Sequence, residues 1–124
     1  MILLADDDPR IRSLIQLIIE SDHFELTSTE DGKEALKMVT EFGPNYVLFL
    51  LDCTMPKMSG TEVYRQIRAQ GLTTPVVLIS GYHQEQVISN ISNDPNAHFI
   101  KKPFNVDELL NQVDRALSEQ ILSS

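Results

Sequence analysis

The chain has 124 residues, 42% of them hydrophobic and 23% charged, which fits one domain over residues 1–124 with a core that needs no staples. Ten basic residues against 18 acidic ones leave a formal net charge of −8, which argues against direct binding of nucleic acid or an anionic membrane, since both require phosphate neutralisation. The lone Cys53 excludes an internal disulfide, no basic-then-apolar leader opens the sequence, and the longest apolar run, Val47 to Leu51, is only strand length, so a reducing, cytoplasmic setting without membrane insertion is expected.

Short apolar runs alternate with amphipathic ones along the whole chain. Met1 to Ala5 reads as a buried strand stopped by Asp6-Asp7-Asp8. Asp8 suits a helix N-cap and Pro9 a first helical turn, with Ile11, Leu14, Ile15 and Ile18 on one face. Phe24 to Ser28 reads as a second strand. Ala35, Leu36, Val39 and Phe42 line one side of a second helix, ended by Gly43-Pro44. Tyr46 to Leu51 is continuously apolar, as expected of a parallel strand covered on both faces. Thr54 to Gly60 reads as a loop. Thr61 to Ala69 follows as a third helix closed by Gly71, and Val76 to Ile79 as a fourth strand. Gln84 to Ile91 reads as a short helix, Asn93 to Asn96 as a turn and Ala97 to Lys101 as the last strand. Val106, Leu109, Leu110, Val113 and Leu117 mark a final amphipathic helix.

Strands and helices that alternate in this way predict an α/β, doubly wound parallel sheet with helices on both faces. A flavodoxin-like (βα)5 sheet of five strands, in the order 2-1-3-4-5, brings the first and third strands together. Ligands bind such sheets outside the carboxyl ends of the strands. The residues found there are Asp6 and Asp7, Asp52, Ser80 and Lys102. Three carboxylates in one crevice repel each other, and a divalent cation relieves that repulsion. Oxygen-only donors favour a hard ion such as Mg²⁺. Lys102, ahead of Pro103, offers an ammonium to the same crevice, and Ser80 offers a hydroxyl.

Five collinear motifs sit at these strand ends. They are Ile2 through Pro9, Asp31-Gly32-Lys33-Glu34-Ala35-Leu36, Leu51 through Gly60, Pro75 through Tyr82, and Lys102-Pro103-Phe104. Together they resemble a response-regulator receiver domain over nearly the entire chain. The resemblance implies that Asp52 is the phosphoacceptor, forming an aspartyl phosphate. It implies that Asp6, Asp7, Asp52 and the backbone carbonyl of Thr54 hold Mg²⁺, and that Lys102 pairs with a phosphoryl oxygen. Ser80 would hydrogen-bond the phosphoryl group, and Phe99 matches the aromatic switch position. Thr54 and Tyr82 match positions that tune phosphoryl lifetime, and a bulky Tyr82 is expected to hinder water. A histidine kinase or phosphotransfer protein would be the donor, and output would pass through the face of the fourth helix, last strand and last helix to a partner or attached domain.

The chain departs from the family pattern in a stretch before Asp52 that is longer by about two residues, an even number that preserves side-chain alternation. Plainer readings also exist. The early acids suit a helix N-terminus, Lys102 a surface position, Ser80 a turn and Phe99 simple packing. Cys53 reads as a small buried hydrophobe, and His23, His83 and His98 lack ligand spacing. An aspartyl-nucleophile phosphohydrolase would carry a second acid two residues after Asp52, where Thr54 stands. A flavin carrier needs a hydroxyl- and glycine-rich loop where Asp6-Asp7-Asp8 stands. A degenerate receiver acting as a binding module would not keep the full acid set. The expectation is therefore a phosphoacceptor rather than a turnover enzyme.

Overall fold

The structure, a computed structural model, describes residues 1–81 and 84–118. Tyr82 and His83, both singled out from the sequence, lie outside the described residues. Five strands, β1 (Ile2–Ala5), β2 (Leu26–Thr29), β3 (Leu48–Asp52), β4 (Val76–Ser80) and β5 (Ala97–Lys101), alternate with five helices among the described residues. The helices are α1 (Pro9–Ser21), α2 (Gly32–Phe42), α3 (Gly60–Ala69), α4 (Gln84–Ile91) and α5 (Val106–Ser118). The strands form one sheet in the order β2-β1-β3-β4-β5, and every pairing is parallel.

Alternation along the strands divides the core. Ile2, Leu4, Leu48, Leu50, Val77 and Ile79 pack with Ile15 and Ile19 of α1 and Leu109 and Val113 of α5. Leu3, Ala5, Phe49, Leu51, Val76 and Leu78 pack with Ala35 and Val39 of α2, Val63 and Ile67 of α3, and Val87 and Ile91 of α4. Both faces are covered, which is why β1, β3 and β4 are buried along their full length and apolar without a polar face.

Local chemistry sets the helix starts. Asp8 accepts a hydrogen bond from the Arg10 amide at 2.9 Å with Pro9 behind it, as the sequence predicts. Asp31 caps α2 through the Glu34 amide at 2.7 Å. Ser59 caps α3 through the Glu62 amide at 3.2 Å. Satisfying an otherwise unpaired amide of the first turn stabilises each start by about 1 kcal/mol. Gly71, at φ +83°, turns the chain out of α3 in a conformation costly for any residue with a Cβ.

Three strand expectations shift. β2 begins at Leu26 rather than Phe24, because Phe24 still donates its amide to the Ile19 carbonyl at the end of α1. β1 begins at Ile2 rather than Met1. β3 runs Leu48–Asp52 rather than Tyr46–Leu51, because 43–45 forms a short 3-10 turn that takes the Tyr46 amide. The added length before Asp52 therefore lies ahead of the strand. Three apolar residues expected to face inward do not. Phe42 is exposed as the last residue of α2, where the chain leaves the helix for the 3-10 turn at 43–45. Val106 is the first residue of α5 and Leu14 borders the strand-end crevice, and both are exposed.

Candidate functional site

The register places the chemistry. Ala5 pairs with Leu51 and Asp52 with Ile79, so Asp6, one residue past β1, stands level with Asp52. Asp6 and Asp52 fall on the same side of the sheet as Leu4 and Leu50, toward α1. One carboxylate oxygen from each of Asp6, Asp7 and Asp52 lies within 4.8 Å of the other two. Lys102 follows β5, and its Nζ stands 3.3 Å from Asp52 Oδ2 and 3.3 Å from Asp6 Oδ2. Four of the sequence-predicted site residues therefore meet in one crevice.

Burial makes this cluster electrostatically unusual. Asp6 is 0% exposed and Asp52 4%, whereas Asp7 faces solvent. Burial, reinforced by the Asp6 charge, raises the Asp52 carboxyl to about 6 despite the opposing Lys102 ammonium and Thr54 amide. Burial alone would lower the Lys102 ammonium, but Asp52 and Asp6 outweigh it and hold it above its ordinary value. Asp52 Oδ1 accepts a long bond of 3.4 Å from the Thr54 amide. The donors are all hard oxygens, the charge is in excess, and one carboxylate opens to water. That set fits a hydrated divalent cation of the Mg²⁺ type.

Around the acids lies a depression of about 600 Å³. Its polar rim includes Asp7, Asp8, Asp52, Thr54, Gly81 and Lys102, and its apolar wall is Ile11, Leu14, Pro103 and Phe104. Ile11 and Leu14 lie on the apolar face of α1 that the sequence predicts, and Ile11 also packs against the core; helical periodicity does not distinguish a buried position from one bordering a crevice. The sequence reading missed Gly60. A Cβ there would come to 2.3 Å from the Asp52 carbonyl oxygen, so only glycine lets α3 start against the end of β3. Arg12 was missed too, and it donates from Nη1 to the Asp6 carbonyl at 2.7 Å.

Ser80 ends β4, almost fully buried, and its backbone carbonyl accepts from the Lys102 amide at 2.9 Å. It lies on the α3/α4 side of the sheet, and its hydroxyl engages the Cys53 thiol. Burial holds that thiol above its ordinary value, which fits the reading of Cys53 as a small hydrophobe rather than a nucleophile. Phe99 lies on the same face, pairs with Leu78 in the β4–β5 ladder, and packs partly buried against the core. It also lines a groove with Lys101 and α5 residues Glu108, Asn111 and Arg115.

No helix among the described residues is long and apolar enough to cross a membrane. Comparison with known proteins adds identity to this geometry. CheY, the chemotaxis protein of Listeria monocytogenes, is 33% identical over 93% of this chain and 96% of its own length. The uncharacterized transcriptional regulatory protein YkoG of Bacillus subtilis is 32% identical over 95% of this chain, and the chain spans about half of YkoG's length (51%). The structure of response regulator TrrA from Thermotoga maritima in complex with Mg(2+)-BeF is 34% identical, with a TM-score of 0.79 over 94% of this chain and 97% of that one. The family model for the response regulator receiver domain matches residues 2–114. With the acid trio, the lysine and the strand order all in place, the chain belongs to the response-regulator receiver family.

Proposed function

We propose that the chain is the phosphoacceptor switch of a two-component phosphorelay, with Asp52 as the acceptor. The observation that carries this reading is the Lys102 ammonium set 3.3 Å from both Asp52 and Asp6, at the edge of a trio of carboxylates. A carboxylate oxygen of Asp52 attacks phosphorus, the bond from phosphorus to the donor breaks, and the donor leaves with that electron pair. From a phosphohistidine, the bond broken is N–P and the imidazole is released. Asp52 must be ionised to attack, and a carboxyl raised to about 6 is ionised at neutral pH. Lys102 then moves its charge from two carboxylates to the new phosphoryl oxygens.

Asp6, Asp7 and Asp52, with the Thr54 carbonyl, would hold Mg²⁺, which when bound offsets the negative charge of the transferring group. Asp7 suits this role because it is open to solvent, whereas Asp6 is already engaged by Lys102. The apolar wall of Ile11, Leu14 and Phe104 beside the acids supports a protein donor, a histidine kinase or phosphotransfer protein, docking at the crevice. For output, the aspartyl phosphate draws the Ser80 hydroxyl away from Cys53, and the vacated space admits the Phe99 ring. That shift alters the α4-β5-α5 face read by a partner or an attached domain. YkoG, twice as long as the matched segment, supports an attached domain as one form of output.

The test is Mg²⁺-dependent labelling with acetyl phosphate, followed by intact mass. The native chain should gain one phosphoryl group and Asp52→Asn none. A label that persists in Asp52→Asn overturns the acceptor assignment.

A further inference from the structure

Every polar atom of Asp6 is engaged. Its amide donates to the Thr29 carbonyl at 3.1 Å. Its Oδ1 accepts from the Asp8 amide at 2.9 Å, and its Oδ2 faces Lys102 at 3.3 Å. The carbonyl is the exceptional atom. In a parallel ladder the next β2 amide would serve it, but β2 ends at Thr29 and Asp31 has already turned to cap α2. The donor supplied instead is the guanidinium of Arg12, at 2.7 Å. Arg12 stands in the first turn of α1, its own amide donating to the Asp8 carbonyl at 3.0 Å. Its side chain folds back across the whole β1–α1 turn.

We propose that Arg12 is a positioning residue for the acidic pair: by holding the Asp6 carbonyl it aims the Asp7 carboxylate at the cation site. A carbonyl and the N–H that follows it belong to one rigid plane. Pinning the Asp6 oxygen therefore fixes the rotation of the Asp6–Asp7 peptide and the direction in which Asp7 leaves it. Asp7 needs this help. It is exposed, and among the described residues no group hydrogen-bonds its carboxylate, yet that carboxylate lies in the trio within 4.8 Å. Without the guanidinium nothing holds the Asp6 carbonyl, and the contact that remains across the Asp6–Asp8 step, the Asp8 amide on Asp6 Oδ1, bears on a carboxylate that also serves Lys102.

The proposal rests on the reading of the trio as a Mg²⁺ site, and the experiment separates the two. Mg²⁺ is titrated into the metal-free protein while backbone amide shifts are followed by NMR, for the native chain, Arg12→Met and Arg12→Lys. Loss of a group that orients ligands typically weakens metal binding 10- to 100-fold, and Arg12→Met should raise the Mg²⁺ Kd about tenfold. In the same metal-free variant the Asp8 amide should exchange with solvent faster. Arg12→Lys, which keeps one donor, should recover most of the affinity. Labelling of Asp52 by acetyl phosphate at saturating Mg²⁺ should stay within about twofold of native, since Arg12 touches none of the reacting atoms. An unchanged Kd in Arg12→Met, or a labelling defect that saturating Mg²⁺ does not repair, overturns the proposal. If Arg12→Met does not fold, Arg12→Gln takes its place, because its shorter amide falls short of the carbonyl, and the same outcomes apply. Failure of the native chain itself to bind Mg²⁺ would overturn the site reading, a separate result.

Discussion

Lys102 Nζ stands 3.3 Å from Asp52 Oδ2, and the same ammonium stands 3.3 Å from Asp6. One cation thus answers two buried carboxylates that the chain carries 46 residues apart, at the carboxyl ends of different strands (Asp6 and Asp52). The residual negative charge gives several results that measurement can check.

Lys102→Met should destabilise the metal-free protein at neutral pH. Removing one partner of a buried ion pair costs about 3–5 kcal/mol when burial is complete. The Lys102 side chain keeps some exposure, so a loss nearer 2 kcal/mol is expected from that range. Urea denaturation in EDTA should show it, and added Mg²⁺ should restore part of the loss. A variant as stable as native in EDTA would mean that the ammonium does not neutralise the acids.

Asp52→Asn should stabilise the metal-free protein at pH 7.5 and leave it unchanged near pH 4. The native Asp52 carboxyl is raised by burial from 3.8 to about 6. Between those values the folded chain holds a proton that the unfolded chain has released, so stability falls as pH rises through that window and stays low above it. Removing the charge recovers about 1–2 kcal/mol, less than a shift of that size implies because the buried Asn amide that replaces the carboxyl must still find hydrogen-bond partners. Thermal melts at the two pH values test this, and a variant less stable than native at pH 7.5 would reverse the sign of the argument.

Gly60→Ala should damage the proposed acceptor, Asp52, without touching its side chain. The added Cβ would sit 2.3 Å from the Asp52 carbonyl oxygen and 3.1 Å from Cys53 Cα, and backbone must move to admit it. Overpacking of this kind costs about 1–3 kcal/mol. Displacing the end of β3 should also slow acetyl phosphate labelling by roughly tenfold or more, since small misplacements of a reacting group are costly. Native labelling in a folded Gly60→Ala protein would show that the strand end has slack.

Far from the crevice, Arg68 fastens three segments. It reaches Asp94 at 2.7 Å and the carbonyls of Leu72, Thr74 and Asn96 at 2.9, 2.8 and 3.2 Å, while Tyr64 donates to the same Asp94 oxygen at 2.7 Å. Burial alone would raise the Asp94 carboxyl, but Arg68 and Tyr64 outweigh it and hold it below its ordinary value. The pair therefore contributes stability above the ordinary carboxylate range and loses it as pH falls through the lowered value. Arg68→Met should cost about 3 kcal/mol at pH 7, with a smaller difference from native in acid. Equal pH dependence in the two proteins would show that Asp94 does not rely on Arg68.

The strands, their parallel order and the positions of Asp6, Asp7, Asp52 and Lys102 at strand ends were legible in the sequence, because burial on both faces writes itself as continuous apolar runs and polar residues mark where those runs stop. The helix start at Asp8 was legible for the same kind of local reason. Element edges at Phe24 and Tyr46 were not, since backbone bonds to Ile19 and Gly43 decide them. Nor were the contacts that depend on which surfaces meet. Periodicity gave Leu14 and Phe42 an inward face, and only the folded chain showed Leu14 bordering a crevice and Phe42 exposed at the end of α2. The closeness of Gly60 to Asp52, the Arg12 guanidinium on the Asp6 carbonyl, and the Ser80 hydroxyl at the Cys53 thiol likewise come only with the folded chain. Sequence determines which groups each segment offers to its ends and faces. Their distances follow from sheet register and crossover geometry, which are set cooperatively by the whole core and are written in no single stretch of it.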